Sequence, residues 1–316
     1  MRGARFTPRF QPVRGMAHAW ACAMLAAACA SAHAGVQERV LQVAVATRNA
    51  EGKPVQGSIA VTVFSDPANR VPAPVVLINH GRSPQAEGRR ELHRARFARQ
   101  ARYFVARGFV VAVPTRLGYG PTFEDDAEDS GSCNNKHYAD ALHAAAVQID
   151  EVLKAVRKLR SDASPDRAVI VGQSFGGAAS VATATLQPEG VQAVINFAGG
   201  AGGNPRTHAG QPCDPEQMAQ VYRDFGAKSQ LPMLWVYAKN DQFFGADWPV
   251  QWHAAFAEGG GTADFRQLPP YARDGHELFR TGIRVWQPLV SQFLDATGFA
   301  VPARAVQQRM PDKGGR

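Results

Sequence analysis

The segment from Ala168 to Ser180 constrains the fold more than any other part of the sequence. An apolar run leads directly into Gly-x-Ser-x-Gly at 172–176, and small residues typical of a closely packed helix follow. A serine at such a strand-to-helix turn has a strained backbone and an outward-pointing hydroxyl, and glycines on both sides avoid collisions with the neighbouring strand and helix. The pattern therefore predicts Ser174 as a nucleophile, with a structural turn serine as the alternative.

Short apolar runs alternate with helical patterns along most of the chain. The continuous apolar runs predict strands that are buried on both faces of a parallel sheet. These runs are Val75–Asn79, Phe109–Val113, Ala168–Val171, Val191–Phe197 and Pro232–Tyr237, with a last candidate strand at Asp264–Leu268. The clearest helix is predicted at Tyr138–Arg160, and Arg39–Arg48 and Ser58–Ser65 alternate like antiparallel edge strands. This alternation predicts βαβ units in one α/β domain over residues 35–298.

The two ends of the chain differ from this domain. Residues 1–34 contain four arginines and no acid, then an uncharged run from Met16 to Ala30, then Ala32-His33-Ala34. This order is typical of a secretory signal, and the run of about 15 residues is shorter than the about 20 that span a bilayer. We predict cleavage after Ala34 and no membrane contact afterwards; an ordinary N-terminal helix and a lipidated Cys29 are the alternatives. Residues 299–316 are polar and basic and are predicted to be a disordered tail.

Most of the formal net charge of +8 lies in these two ends, which leaves about +1 on the domain. Nucleic acid is therefore not a predicted partner, because no basic face remains outside the ends. The exception is a patch of seven arginines from Arg89 to Arg107, which we interpret as the solvated face of one helix.

Cysteine and histidine usage agrees with export and argues against a metal. Cys133 and Cys213 are the two cysteines outside the predicted signal, and both lie in polar stretches that contain Gly or Pro. An oxidising compartment favours a disulfide between them. The nine histidines are scattered and no Cys-x-x-Cys or His-Glu-x-x-His spacing occurs, so no metal or other cofactor is predicted.

A serine hydroxyl becomes a good nucleophile only when a base removes its proton, and an acid must orient that base. Asp241 directly follows a buried candidate strand and is the predicted acid, with Asp247 as the alternative. His276 lies in a turn between the last candidate strand and a C-terminal helix, and is the predicted base. The chain order Ser, acid, His is the order expected when the partners follow later strands of such a sheet.

An oxyanion formed at the substrate needs two backbone donors. The amide of Phe175, directly after the nucleophile, is one candidate, and the amide of Arg82, in the loop after the strand at 75–79, is the other. His80 in the same loop is interpreted as a residue that braces the loop rather than as a catalytic group.

Five segments together resemble an α/β-hydrolase of the dienelactone hydrolase-like group. They are His80-Gly81, Pro114–Gly120, Gly172–Gly177, Asn240-Asp241 and Gly275-His276, and the resemblance spans roughly Pro74–Phe293. It implies an α/β-hydrolase fold, with a mostly parallel central sheet flanked by helices and antiparallel strands at the N-terminal edge. The resemblance departs from dienelactone hydrolases proper at one position: they have a cysteine as the nucleophile, whereas this chain has Ser174. The serine favours carboxylic esters over dienelactone as substrates.

Five further residues are predicted to contact substrate. Arg116 and Tyr119 follow the carboxyl end of a strand, and Phe243, Phe244 and Trp248 follow the predicted acid and could line an acyl pocket. The acidic loop, Phe123–Asn135, either covers the mouth of the site or is simply solvated.

Together these features predict a secreted or periplasmic serine esterase that acts on a small-molecule ester. A serine peptidase of the prolyl-oligopeptidase type and a catalytically silent binding protein with a hydrolase fold are the alternatives.

Overall fold

Eight strands within residues 35–300 form one sheet. The computed structural model describes these residues, and the predicted signal segment and residues 301–316 lie outside them. The strands are β1 (Gln37–Arg48), β2 (Pro54–Ser65), β3 (Ala73–Asn79), β4 (Val110–Pro114), β5 (Ala163–Gln173), β6 (Val191–Phe197), β7 (Met233–Ala238) and β8 (Ala263–Leu268). Their order across the sheet is β1-β2-β4-β3-β5-β6-β7-β8. β2 runs antiparallel to both of its neighbours and all other pairs are parallel, which confirms the predicted sheet.

The burial of each strand follows from its hydrophobic pattern. In the edge strand β1, buried Val43 and Val45 alternate with exposed residues. The central strand β5 is buried throughout its second half, where Ile170 packs into one hydrophobic cluster and Val171 into the cluster on the opposite face. Successive side chains of a strand point to opposite faces, so an uninterrupted apolar run requires covering layers on both sides.

Helices supply these two layers. They are α1 (Ala86–Arg90), α2 (Ala98–Ala106), α3 (Tyr138–Leu159), α4 (Phe175–Ala184), α5 (Pro215–Gly226), α6 (Asp247–Glu258), α7 (Leu278–Thr281) and α8 (Ile283–Ala296), with 3-10 turns at Gly120–Thr122 and Gly275–Glu277. Buried residues of α3, α4, α5 and α6 share one cluster, and those of α2 and α8 share the other. The arginine patch is not one helix as predicted, because a loop separates α1 from α2 and Phe97, the N-cap residue of α2, has a positive φ of 44°.

The parallel pairing places several loops at one end of the sheet. The segments that follow β3, β4, β5, β7 and β8 leave the carboxyl ends of parallel strands, and this edge is where α/β proteins bind ligands. Ser174, Asp241 and His276 all lie in these segments.

A disulfide joins Cys133 to Cys213 across 80 residues of sequence. It connects the acidic loop to the segment between β6 and α5. Within residues 35–300, no helix combines the length and the apolar character that a bilayer span requires. The same residues contain no cluster of His, Cys, Asp and Glu side chains that could hold a metal ion.

Removing this disulfide is expected to lower the free energy of unfolding by about 2–4 kcal/mol, because the link restricts the unfolded chain. The double variant Cys133→Ser with Cys213→Ser should therefore unfold at lower urea concentration than the wild type. Wild type unfolded in the presence of a reducing agent should match the variant. Equal midpoints for all three samples would contradict a stabilising role for the link.

Phe299 belongs to the folded domain rather than to the predicted tail. It is buried, its ring lies 5.4 Å from that of Phe109, and its carbonyl oxygen accepts a hydrogen bond from Arg107. The domain therefore extends at least one residue beyond the predicted boundary at 298.

Candidate active site

Ser174 occupies a strained turn between β5 and α4, with φ 59° and ψ −130°. The two flanking glycines are required by close backbone approaches. A Cβ on Gly172 would lie 2.0 Å from the carbonyl oxygen of Gly176, and a Cβ on Gly176 would lie 2.3 Å from the carbonyl oxygen of His80. Because backbone atoms cannot give way as a flexible side chain can, this turn is closed to larger residues at both positions.

Asp241 and His276 form a buried pair. The Nδ1 of His276 lies 2.9 Å from Oδ2 of Asp241, and Oδ1 of Asp241 accepts hydrogen bonds from the amides of Phe243 and Phe244 at 2.8 and 3.0 Å. A carboxylate can only accept, so Nδ1 carries the proton and Nε2 is left as an acceptor. The alternative acid, Asp247, is exposed in the first turn of α6.

Two opposing effects set the pKa of His276. Burial favours the neutral ring and lowers the pKa, whereas the Asp241 carboxylate raises it by its charge and its hydrogen bond. The second effect prevails, with smaller contributions from Asp274 and Glu277. The pKa of His276 therefore lies above its ordinary value of 6.5.

Ser174 and His276 line the same groove, which has a volume of about 630 Å³. Gln173 links the two segments by donating from Nε2 to the carbonyl oxygen of His276 at 2.9 Å. In the described part of the chain no direct hydrogen bond joins the Ser174 hydroxyl to the His276 ring. Such bonds are often long before substrate binds and shorten in the complex.

The two predicted oxyanion donors flank Ser174. Phe175 is the first residue of α4, whose N-terminus favours a developing negative charge. Gly81, directly before Arg82, approaches so closely that a Cβ there would lie 2.9 Å from the Cβ of Ser174 and 3.3 Å from its Oγ. Among residues 35–300, the amides of Phe175 and Arg82 have no hydrogen-bond acceptor, so both remain available.

A second, smaller cavity of about 280 Å³ also reaches Ser174. Phe243 and Phe244 line it together with polar residues of the acidic loop, and Phe243 lines the larger groove as well. The Phe243 ring also stacks on His276, with the ring centroids 3.9 Å apart. Trp248 lines neither cavity and packs against the hydrophobic core, which corrects its prediction as a substrate contact.

Comparison of this sequence with protein families matches residues 60–279 to the dienelactone hydrolase family, more than two thirds of the chain. The chain belongs to the dienelactone hydrolase family. It is therefore a member of a family of hydrolases with the α/β-hydrolase fold, as its motifs predicted. A comparison with curated proteins found no match to this sequence.

Solved structures with the same fold include peptidases and esterases. An acylaminoacyl peptidase from Pyrococcus horikoshii superposes with a TM-score of 0.56 at 14% identity over 84% of this chain, and this chain spans 42% of the peptidase's length. A rice cell wall degrading esterase, LipA from Xanthomonas oryzae, has the same TM-score and identity, over 84% of this chain and 92% of the esterase. A predicted CIB-like hydrolase from Thermoplasma acidophilum gives 0.52 at 15% identity, over 83% and 100% of the two chains. At these identities the likeness shows the fold alone.

Two predicted substrate contacts of this dienelactone hydrolase family member are instead part of its buried framework. Arg116 and Tyr119 are 0% and 1% exposed and line neither cavity beside Ser174. The Arg116 guanidinium forms an ion pair with Glu128, and the Tyr119 hydroxyl donates to the same carboxylate at 2.8 Å. The Arg116 Nε and Nη2 atoms and the Tyr119 hydroxyl are therefore engaged by Glu128 and by the His80 carbonyl group within the protein.

Sequence reasoning missed the two carboxylates that hold Arg82, Arg116 and Tyr119. Glu128 is fully buried, and Asp126 accepts two hydrogen bonds from the Arg82 side chain at 2.9 and 2.6 Å. Both belong to the acidic loop, which is therefore not simply solvated. The only signal in the sequence was the run of five acids, and it did not distinguish the two engaged carboxylates from exposed Glu124 and Asp125.

Substituting Gly81 with alanine is expected to reduce kcat for an ester about a hundredfold, because the new methyl group would push the Arg82 amide away from Ser174. The fold should persist, because Gly81 does not have a positive φ. Circular dichroism, thermal unfolding and steady-state kinetics would test this. Gly35 has open space around it, so Gly35→Ala is the matched control. Gly52 is unsuitable for this purpose because an alanine would be strained at its φ of 74°. Wild-type kcat in Gly81→Ala would contradict the predicted position of the oxyanion donor.

Proposed function

We propose that this member of the dienelactone hydrolase family is a serine hydrolase that cleaves carboxylic esters through an acyl-enzyme intermediate. One observation carries the proposal: the strained Ser174 shares a groove with His276, whose Nδ1 is held by Asp241. A nucleophile, a base and an acid that orients the base are the parts that acyl transfer needs.

In the first half of the reaction, the Ser174 hydroxyl oxygen attacks the ester carbonyl carbon while Nε2 of His276 takes the hydroxyl proton. Asp241 stabilises the imidazolium that forms, and the amides of Arg82 and Phe175 donate to the oxyanion. The tetrahedral intermediate then collapses, the bond between the carbonyl carbon and the alcohol oxygen breaks, and the alcohol leaves with the proton from His276.

In the second half, water attacks the acyl-enzyme with His276 again as the base. The second tetrahedral intermediate expels the Ser174 oxygen, which regains its proton from His276. The products are a carboxylic acid and an alcohol, and no group other than water is consumed.

The proposed place of action is outside the cytoplasm. The predicted signal in residues 1–34 supports export, and the disulfide between Cys133 and Cys213 supports an oxidising compartment such as the periplasm or the exterior.

A fluorophosphonate probe tests the nucleophile. We expect the wild type to be labelled once per chain and Ser174→Ala to be unlabelled, because the probe reacts with an activated serine. Labelling that persists in Ser174→Ala would overturn the assignment, and absence of labelling in a folded wild type would favour the silent binding protein.

A substrate panel then separates ester from peptide hydrolysis. Nitrophenyl esters with short and long acyl chains would be compared with peptide nitroanilides under the same conditions. We expect turnover of the esters. A preference for the anilides would favour the peptidase alternative.

A further inference from the structure

The three residues of the predicted oxyanion loop, His80, Gly81 and Arg82, are all held by polar contacts. The Nδ1 of His80 donates to the carbonyl oxygen of Gly81 at 2.7 Å, and its Nε2 accepts from the amide of Arg116 at 3.2 Å. Burial and the Arg116 charge hold the pKa of His80 well below its ordinary value of 6.5. The ring is therefore neutral, and both of its nitrogens are engaged within the protein.

Asp126 of the acidic loop holds the end of this segment. Its two carboxylate oxygens accept from both terminal nitrogens of Arg82, and the side chains of the pair are only 20% and 13% exposed. A two-point contact between a planar guanidinium and a carboxylate fixes orientation as well as distance. Asp126 thus restrains the residue whose amide is the predicted oxyanion donor.

Glu128 of the same loop holds the beginning of the segment through Arg116. Glu128 and Arg116 are both 0% exposed, and Arg116 also donates from Nη2 to the carbonyl oxygen of His80 at 2.9 Å. Tyr119 supplies a further donor to the Glu128 carboxylate. A charge pair removed so completely from water has a large desolvation cost, so it is weak evidence for stability and needs another reason.

The acidic loop is itself anchored at its far end. Lys136 donates to the carbonyl oxygen of Gly131 at 2.6 Å, and the disulfide ties Cys133 to Cys213. The acidic loop therefore links the disulfide to both ends of the predicted oxyanion loop.

We propose that Asp126 and Glu128 are positioning residues that hold the amide of Arg82 in place to receive the oxyanion. This inference rests on the proposed function, because it assigns a role within the same acyl-transfer site. Neither carboxylate contacts the reacting atoms: Asp126 acts through the Arg82 side chain, and Glu128 acts through Arg116 and the His80 carbonyl group.

The chain offers a closely matched control for Asp126→Asn. Asp162 accepts two hydrogen bonds from Arg160, as Asp126 does from Arg82. The Asp162 and Arg160 side chains are 29% and 12% exposed, close to the values for Asp126 and Arg82. This pair precedes β5 and is therefore at the end of the strand opposite to Ser174. Asp162→Asn thus removes an equivalent ion pair without touching the site.

The test measures kcat/KM for 4-nitrophenyl acetate and the inhibition constant of an aryl trifluoromethyl ketone. The serine oxygen adds to the carbonyl carbon of such a ketone and forms a tetrahedral oxyanion, so the affinity of the ketone reports on the oxyanion hole. We expect Asp126→Asn to lower kcat/KM about tenfold and Glu128→Gln about a hundredfold, since displacing a donor by a fraction of an ångström has effects of this size. The ketone should bind more weakly by the same factors, and Asp162→Asn should match the wild type in both measurements.

Glu128→Gln leaves the buried Arg116 without its charge partner, and that variant could fail to fold. Tyr119→Phe then replaces it, because this change removes one donor to Glu128 and leaves the ion pair in place. We expect a several-fold loss of kcat/KM with an equal loss of ketone affinity.

The inference is overturned if Asp126→Asn and Tyr119→Phe keep wild-type kcat/KM and ketone affinity, or if any loss is matched by Asp162→Asn. Such a result leaves the proposed function intact provided that Ser174→Ala is inactive. If Ser174→Ala hydrolyses the ester as well as the wild type does, the proposed function itself fails.

Discussion

Substitution of Ser174 with alanine is expected to lower kcat for a nitrophenyl ester by a factor on the order of 10⁴ to 10⁶, because the reaction loses its nucleophile. A residual rate above that of water should remain, since the free amides of Phe175 and Arg82 still polarise a carbonyl group. The change removes a single oxygen atom, and alanine and serine are strained to a similar degree at φ 59°. The melting temperature should therefore change little.

Ser291→Ala is the matched control for this variant. Ser291 lies on α8, and its hydroxyl is hydrogen-bonded to the Tyr103 hydroxyl at 2.8 Å. It lines neither cavity beside Ser174. Its kcat should equal that of the wild type. A Ser174→Ala protein that kept a few per cent of wild-type kcat would contradict the acyl-enzyme mechanism.

Substitution of Asp241 with asparagine is expected to lower kcat by a factor on the order of 10⁴. The physical reason lies in how the carboxylate is held. Oδ1 accepts from the amides of Phe243 and Phe244, so a carboxamide would place its oxygen there and its NH₂ group at the position of Oδ2, which faces Nδ1 of His276. Nδ1 also lies 3.1 Å from Oδ1, but the carboxamide NH₂ group would be its nearer neighbour and can only donate. That favours Nδ1 as an acceptor and the ring proton on Nε2, and Nε2 could then no longer take a proton from Ser174.

The same variant should shift the pH profile. The base must be neutral, so activity rises with pH as His276 loses its proton, and in the wild type this occurs above pH 6.5 because Asp241 raises the pKa. Without the carboxylate charge, burial dominates and lowers the pKa of His276. The rising limb of the residual activity of Asp241→Asn should therefore lie at lower pH than that of the wild type.

Profiles of kcat/KM against pH for the wild type, Asp241→Asn and Asp247→Asn would measure this shift. Asp247 is the other acid of the same segment and is exposed, so its variant should reproduce the wild-type profile. A rising limb that stays in place in Asp241→Asn, or that moves only in Asp247→Asn, would show that a different group orients the imidazole.

The parallel sheet, the turn at Ser174 and the place of Asp241 and His276 after strands could be predicted from the amino-acid sequence. These features depend on local chemistry: short apolar runs that alternate with helical patterns are typical of doubly covered strands, and a strand before Gly-x-Ser-x-Gly with a helix after it indicates the strained turn. The order of the candidate residues then placed them at strand ends. Parallel pairing brought those ends to one edge of the sheet.

The surroundings of Arg116, Tyr119, Trp248 and the acidic loop became clear only from the three-dimensional packing. An arginine after a strand has the same local sequence whether it faces a ligand or a buried carboxylate, and Glu128 is one of several acids in a stretch without periodicity. Which carboxylate pairs with Arg116 depends on how the acidic loop folds back against the end of β4, and the disulfide from Cys133 to Cys213 anchors that loop to a segment 80 residues away in sequence. Such pairings follow from the packing of the whole chain and not from local propensity, so no reading of neighbouring residues could have assigned them.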